Sequence, residues 1–225
     1  MTDDHLAHHR RLIACAIDTY LRDPEGFSFA AVATACDIPE EGLTRVYADP
    51  DALLTDYYID ALMREEELSR DIEGFATFSL EEKVSTFIYT LFDQFDERAD
   101  FVRATLPRLV LDCGDNPFKT GVARRFRTFL EQDPDMPAPQ RMLLLNGLVY
   151  NLLCQEYLVL LRFWIQDDSP GAQRTMALAD KLVAFQSELA QTPILDRGLD
   201  LARYLVSPQV LKWPFPFLSR FFDRT

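Results

Sequence analysis

The sequence predicts an all-α protein, and three observations carry that expectation. Only 8 glycines occur in 225 residues, too few turn signals for the many short strands of a sheet protein. Apolar residues recur at three- and four-residue spacing over long stretches, the period of a helix face. Caps and prolines cut the chain into about ten segments of helical length. With 48% apolar and 26% charged residues the composition is that of a globular chain, which excludes the disordered, collagenous and disulfide-stapled classes.

The first helix is expected from near Asp4 to Leu21, where Leu12, Ile13, Ala16, Ile17 and Tyr20 share a face before Asp23-Pro24 stops it. Two short helices follow, about Ser28 to Ala35 and Pro39 to Val46, separated by Cys36-Asp37-Ile38. A long fourth helix begins at Asp49-Pro50, where Asp49 caps free backbone N–H groups and Pro50 loses nothing at the first helical position. It runs to about Arg70. Ser79-Leu80-Glu81-Glu82 reads as a capping box that opens a fifth helix ending near Arg98. Further helices are expected over 99–112, 117–132, 138–166, 170–191 and 194–206. Pro107 lies inside one of them and predicts a kink or break.

Acidic side chains outnumber basic ones by 36 to 23, a formal net charge of −13. That balance repels phosphate backbones and anionic lipids at long range. The cations are 4 lysines and 19 arginines, and Asp outnumbers Glu by 23 to 13. Proteins adapted to high salt share this Asp-rich, Lys-poor make-up; at 1 M salt the Debye length is roughly 3 Å, which mutes the repulsion. Charge at a particular site then counts for more than the total.

Cys15, Cys36, Cys113 and Cys154 form no CxxC pair and have no His at ligand spacing, and the amino terminus lacks the basic-then-apolar pattern of a secretion signal. A reducing, cytoplasmic setting fits. His5, His8 and His9 are the only histidines. His5 and His9 stand one helical turn apart, but a place near the terminus predicts solvent exposure and no metal site. The bundle therefore lacks a histidine base for a Ser or Cys nucleophile, and no Gly-rich phosphate loop occurs. No enzymatic activity, catalytic residue or cofactor is expected. Met142 to Leu161 holds eleven Leu and Val, yet Glu156, Asn146, Asn151 and Gln155 oppose bilayer insertion, so a buried helix is predicted.

Two short helices joined by a three-residue turn and braced by a longer one make a helix-turn-helix unit. The stretch from Gly26 to Leu54 resembles the amino-terminal segment of tetracycline-repressor-family regulators. Phe27, Val32, Ala33, Cys36, Ile38, Leu43, Tyr47, Leu53 and Leu54 stand at that family's apolar and small positions. The resemblance implies a three-helix head over residues 1–55 and a larger helical ligand-binding and dimerisation bundle over 56–225. It implies a homodimer, an apolar small-molecule effector and DNA as partners.

The family's DNA-facing positions correspond here to Pro39, Glu40, Glu41, Thr44, Arg45 and Pro50, and the glycine of its turn corresponds to Asp37. From Cys36 to Asp60 the sequence carries one cation, Arg45, against seven anions: Asp37, Glu40, Glu41, Asp49, Asp51, Asp56 and Asp60. Operator affinity rests largely on Lys and Arg contacts to phosphates, which this face lacks. A bland reading of Glu40 and Glu41 also stands, as first-turn anions beside a helix dipole. Two functions follow. One is a one-component transcriptional regulator with a poor DNA face; the other is a ligand- or lipid-binding accessory protein on the same scaffold.

Segment 138–166 is apolar on nearly every face and must be covered by the bundle, a ligand or a second subunit. Asn146, Asn151, Gln155 and Glu156 within it, with Phe87, Phe92, Phe95, Phe101 and Trp164, are candidate pocket residues; core packing and interhelical hydrogen bonds are the competing reading. Lys119, Arg124, Arg125 and Arg127 form a basic group suited to an anionic partner or to neighbouring carboxylates. The tail, 205–225, places Trp213, Phe215, Phe217, Phe221 and Phe222 among prolines and cations. It suits peripheral membrane contact or a strap across an apolar groove.

Overall fold

The helices begin where a short polar side chain precedes an apolar periodic run. Ser28 Oγ accepts from the Ala31 N–H, Asp49 Oδ1 from that of Ala52 and Asn116 Oδ1 from that of Lys119, and Ser79 and Glu82 close a reciprocal capping box. The computed structural model describes residues 3–133, 136 and 138–191. Among them are ten α-helices and no strand: α1 Asp3–Arg22, α2 Phe29–Cys36, α3 Glu40–Val46, α4 Pro50–Asp71, α5 Leu80–Asp96, α6 Ala99–Leu106, α7 Pro117–Glu131, α8 Ala138–Leu144, α9 Gly147–Gln166 and α10 Gln173–Gln191. The expected 194–206 helix and the aromatic tail lie outside the described residues.

In the amino-terminal head, Ile13, Ala16 and Ile17 of α1 close over Val32 of α2, Leu43 of α3 and Leu53 and Leu54 of α4, all buried. The α2–α3 turn needs one residue in the left-handed region, and Asp37 occupies it with φ 54°. Aspartate tolerates that conformation better than most side chains, so the turn forms without the glycine usual in look-alike sequences.

Cys15 of α1 and Cys36 at the end of α2 are joined in a disulfide, their Cα atoms 6.1 Å apart. The cysteine spacing gave no sign of this pairing, because the two residues meet only through the α1–α2 packing. Closing a loop of this separation, 21 residues, restricts the unfolded chain and stabilises by roughly 3 kcal/mol. Adding dithiothreitol is expected to lower the urea midpoint of the wild type, while a Cys15→Ser/Cys36→Ser double variant shows the same lowered midpoint with and without reductant.

Three expected helices are interrupted. Segment 99–112 is α6 followed by a π-helical stretch, Pro107–Leu111, where the Asp112 N–H reaches back to the Pro107 carbonyl at 2.8 Å. Proline has no N–H to give to the ladder, which widens there. Segment 138–166 is two helices, α8 and α9. Asn146 does not sit inside a helix but caps α9, its Oδ1 accepting from the Leu148 and Val149 N–H groups. Segment 170–191 opens with a 3-10 turn, Pro170–Ala172, in which Gly171 at φ 59° and Ala172 at φ 50° are left-handed, and α10 begins only after it.

The α9–α10 connection is tied by a buried carboxylate. Asp167 Oδ1 accepts from the Ser169 N–H and hydroxyl, and Oδ2 from the Thr175 N–H and hydroxyl at 2.8 and 2.7 Å. These bonds, led by the Ser169 hydroxyl and reinforced by Thr175, hold its carboxyl well below the usual carboxylate range. A depressed folded-state pKa adds stability above the unfolded value, about 3.9, which fades as pH falls through the folded one. Asp167→Asn is therefore expected to be less stable than wild type at pH 7. The gap should close steadily below about pH 4, as read by thermal melts across a pH series.

The large bundle packs α7 on α9, α10 on α5, and α4 on α5 and α7. At its centre Phe101 meets Tyr20, Tyr57 and Tyr58 at ring distances of 5.9, 5.2 and 6.2 Å. The Tyr58 hydroxyl is 2.6 Å from Thr105 Oγ1, and Tyr57 donates to the Gln94 carbonyl at 2.8 Å. Burial pushes the Tyr57 phenol up to about 12. Three of the four α7 cations are engaged: Arg125 binds Glu65, Arg127 pairs with Glu131, and Lys119 Nζ donates to the Leu111 and Gly114 carbonyls, while Arg124 is exposed.

Candidate functional site

Two regions hold candidate functional residues, the outer face of α3 and a cavity in the larger bundle. Helix α3 is seated by buried Leu43 and by Tyr47, whose hydroxyl donates to Asp56 Oδ2 at 2.8 Å. His9 Nε2 lies 3.1 Å from the same oxygen. His9 is thus half-buried in a polar cluster, not solvated as its place near the terminus suggests. Burial, then the Asp56 hydrogen bond, pushes the Tyr47 phenol well up.

With its apolar side committed, α3 turns Glu40, Glu41, Thr44 and Arg45 outward, all exposed, after exposed Pro39. Pro50 is half-buried at the first position of α4. The seven anions of this region do not act together. Asp51 pairs with Arg108, Asp56 with Tyr47 and His9, and Asp60 with Arg10 at 2.8 Å and Arg64 at 3.2 Å. Of the seven, Asp37, Glu40, Glu41 and Asp49 are left beside Arg45, and Asp49 is engaged as the α4 cap. The sequence count overstates the acidity of the outer face, because three of its anions reach partners on α1, α4 or the π-helical stretch.

The cavity, about 340 Å³, lies among α5, α7, α9 and α10, where Val84, Phe126, Leu130, Leu153 and Val183 form its apolar wall. This volume is at the lower end for small-molecule sites, roughly 300–1,000 Å³. Leu148, Leu152 and Phe185 stand at the cavity as well, and each is more than half exposed. Glu156 Oε2 accepts from the Gln186 side-chain amide at 2.6 Å, joining α9 to α10 at the wall.

Of the candidate pocket residues named from sequence, Asn146 and Glu156 line this cavity. Phe87, Phe92, Phe95, Phe101 and Trp164 are packed in the core at 0–1% exposure. Phe87 meets Phe126, Phe129 and Tyr157, and Trp164 lies against Phe92 and Phe95. Asn151 and Gln155 are exposed on the outer side of α9. Sequence reasoning passed over Leu148 and Leu152, although these two and Glu156 form one i, i+4 row.

The outer side of α9 also carries exposed Val159 and Phe163, which with Leu148 and Leu152 make an apolar stripe along the helix. By length and composition α9 would suffice to cross a bilayer; in this fold it packs on α7 and α10. Among the described residues no group of three or more His, Cys, Asp and Glu is arranged to hold a metal. Residues 83–205 match the family described as Tetracyclin repressor-like, C-terminal domain. No curated protein matches the chain.

Proposed function

Because the chain belongs to the tetracycline-repressor family, we propose that it is a homodimeric regulator responding to an apolar small molecule in the α5–α7–α9–α10 cavity. The observation that carries this reading is the cavity itself: a preformed, almost wholly apolar space with a few polar groups at one side, the arrangement of small-molecule sites. Dimerisation through α9 and α10 is supported by the exposed apolar stripe from Leu148 to Phe163 on α9 and by exposed Phe185 on α10.

A signal from the bundle has a direct mechanical route to the head. Arg108, on the π-helical stretch, pairs with Asp51 in the first turn of α4 and lies over the Tyr20 ring of α1. Any shift of that stretch moves the helix that follows α3.

Operator binding by this head is weak, since Glu40 and Glu41 meet phosphates where other binders place cations. Arg45 is the one residue of α3 suited to reading guanine. The acidic outer face favours a second reading, a ligand-binding protein that keeps the scaffold and no longer holds DNA. Titration of the purified protein against DNA from its own upstream region, across a salt series, separates them. The regulator requires affinity whose logarithm falls linearly with log salt. Absence of binding at 50 mM salt assigns the second reading, and an empty pocket in native mass spectra and ligand titrations removes both.

A further inference from the structure

The cavity lining defines the class of its occupant, an inference that rests on the pocket reading above. Among the described lining residues the only ionisable groups are two carboxylates, exposed Glu81 and half-buried Glu156; neither Lys nor Arg is present. Glu156 is held by an amide, Gln186, and not by a cation. An ionised carboxylate accepts about four hydrogen bonds, so the Gln186 contact orients the group and leaves acceptor capacity free. A neutral occupant would remove water from this carboxylate without replacing the charge, and an anionic one would add repulsion.

We propose that the cavity binds a cationic amphiphile. Its apolar portion lies against Val84, Leu130, Leu153 and Val183, and its ammonium or amidinium head sits at Glu156 with Glu81 nearby. The apolar wall supplies affinity, and the two carboxylates select the sign of the head.

The test is calorimetric titration of the full-length protein with n-decyltrimethylammonium, 1-decanol and decanoate, each below its aggregation concentration. The ammonium is expected to bind roughly ten-fold or more tighter than decanol, and decanoate weaker than both. Glu156→Gln, near-isosteric and checked for folding by circular dichroism, should abolish the preference and leave decanol affinity unchanged; Glu81→Gln should reduce it in part. Equal affinity for the ammonium and decanol overturns the inference while the pocket reading stands. So does a preference that survives Glu156→Gln, because it would then stem from the net charge of −13. Failure of all three probes to bind overturns the pocket reading with it.

Discussion

Arg125→Met is expected to destabilise the protein by about 3–5 kcal/mol, the cost of leaving one member of a buried ion pair alone. Glu65 is fully buried on α4, and Arg125 of α7 grips both its oxygens at 2.8 and 2.9 Å. The Ser69 hydroxyl donates to the same carboxylate at 2.6 Å. The Arg125 guanidinium also lies 4.5 Å from the Phe129 ring centroid, so its loss removes packing too. In a chain of this size the melting temperature should fall by roughly 6–20 °C. The diagnostic control is Glu65→Leu in the same background. Removing the stranded carboxylate should recover most of the loss, and a double variant no more stable than Arg125→Met would refute the account.

Phe101→Ala should cost about 3–5 kcal/mol, the usual range for excising a large aromatic from a packed interior. Phe101 is wholly buried and is the shared neighbour of Tyr20 on α1 and of Tyr57 and Tyr58 on α4. The hole therefore opens where the amino-terminal helices meet the bundle. Urea unfolding followed by circular dichroism would give the size of the effect. Phe101→Leu, which keeps most of the volume, should lose less; equal losses for the two variants would show that shape at this point matters little.

Helix starts were legible in the sequence because they depend on local chemistry. Asp49-Pro50, the Ser79–Glu82 box and Asn116-Pro117 act within four residues, and each opens a helix as expected. A start hidden inside a longer apolar run was less so. Asn146 reads as a polar residue inside an apolar helix, since an asparagine that caps and one that is buried look alike in a string. Most of the aromatic pocket candidates are core residues for a related reason. Periodicity says that Phe87, Phe92, Phe95 and Trp164 face inward, but not whether inward means a void or another ring. The wall at Val183 and Phe185 depends on how α10 docks on α5 and α9, which no local pattern encodes. The same holds for Cys15 with Cys36, and for the three acids that turn back onto Arg108, His9 and Arg10.

The Cys15–Cys36 bond also gives the head a ring topology that the peptide chain alone lacks. A protease that cuts the exposed connection around Pro24 and Glu25 would divide the polypeptide yet release neither fragment. The amino-terminal piece would stay tethered through sulfur to the helix that precedes α3. On a denaturing gel the nicked protein would keep its full mass until a thiol was added, when it would fall into two.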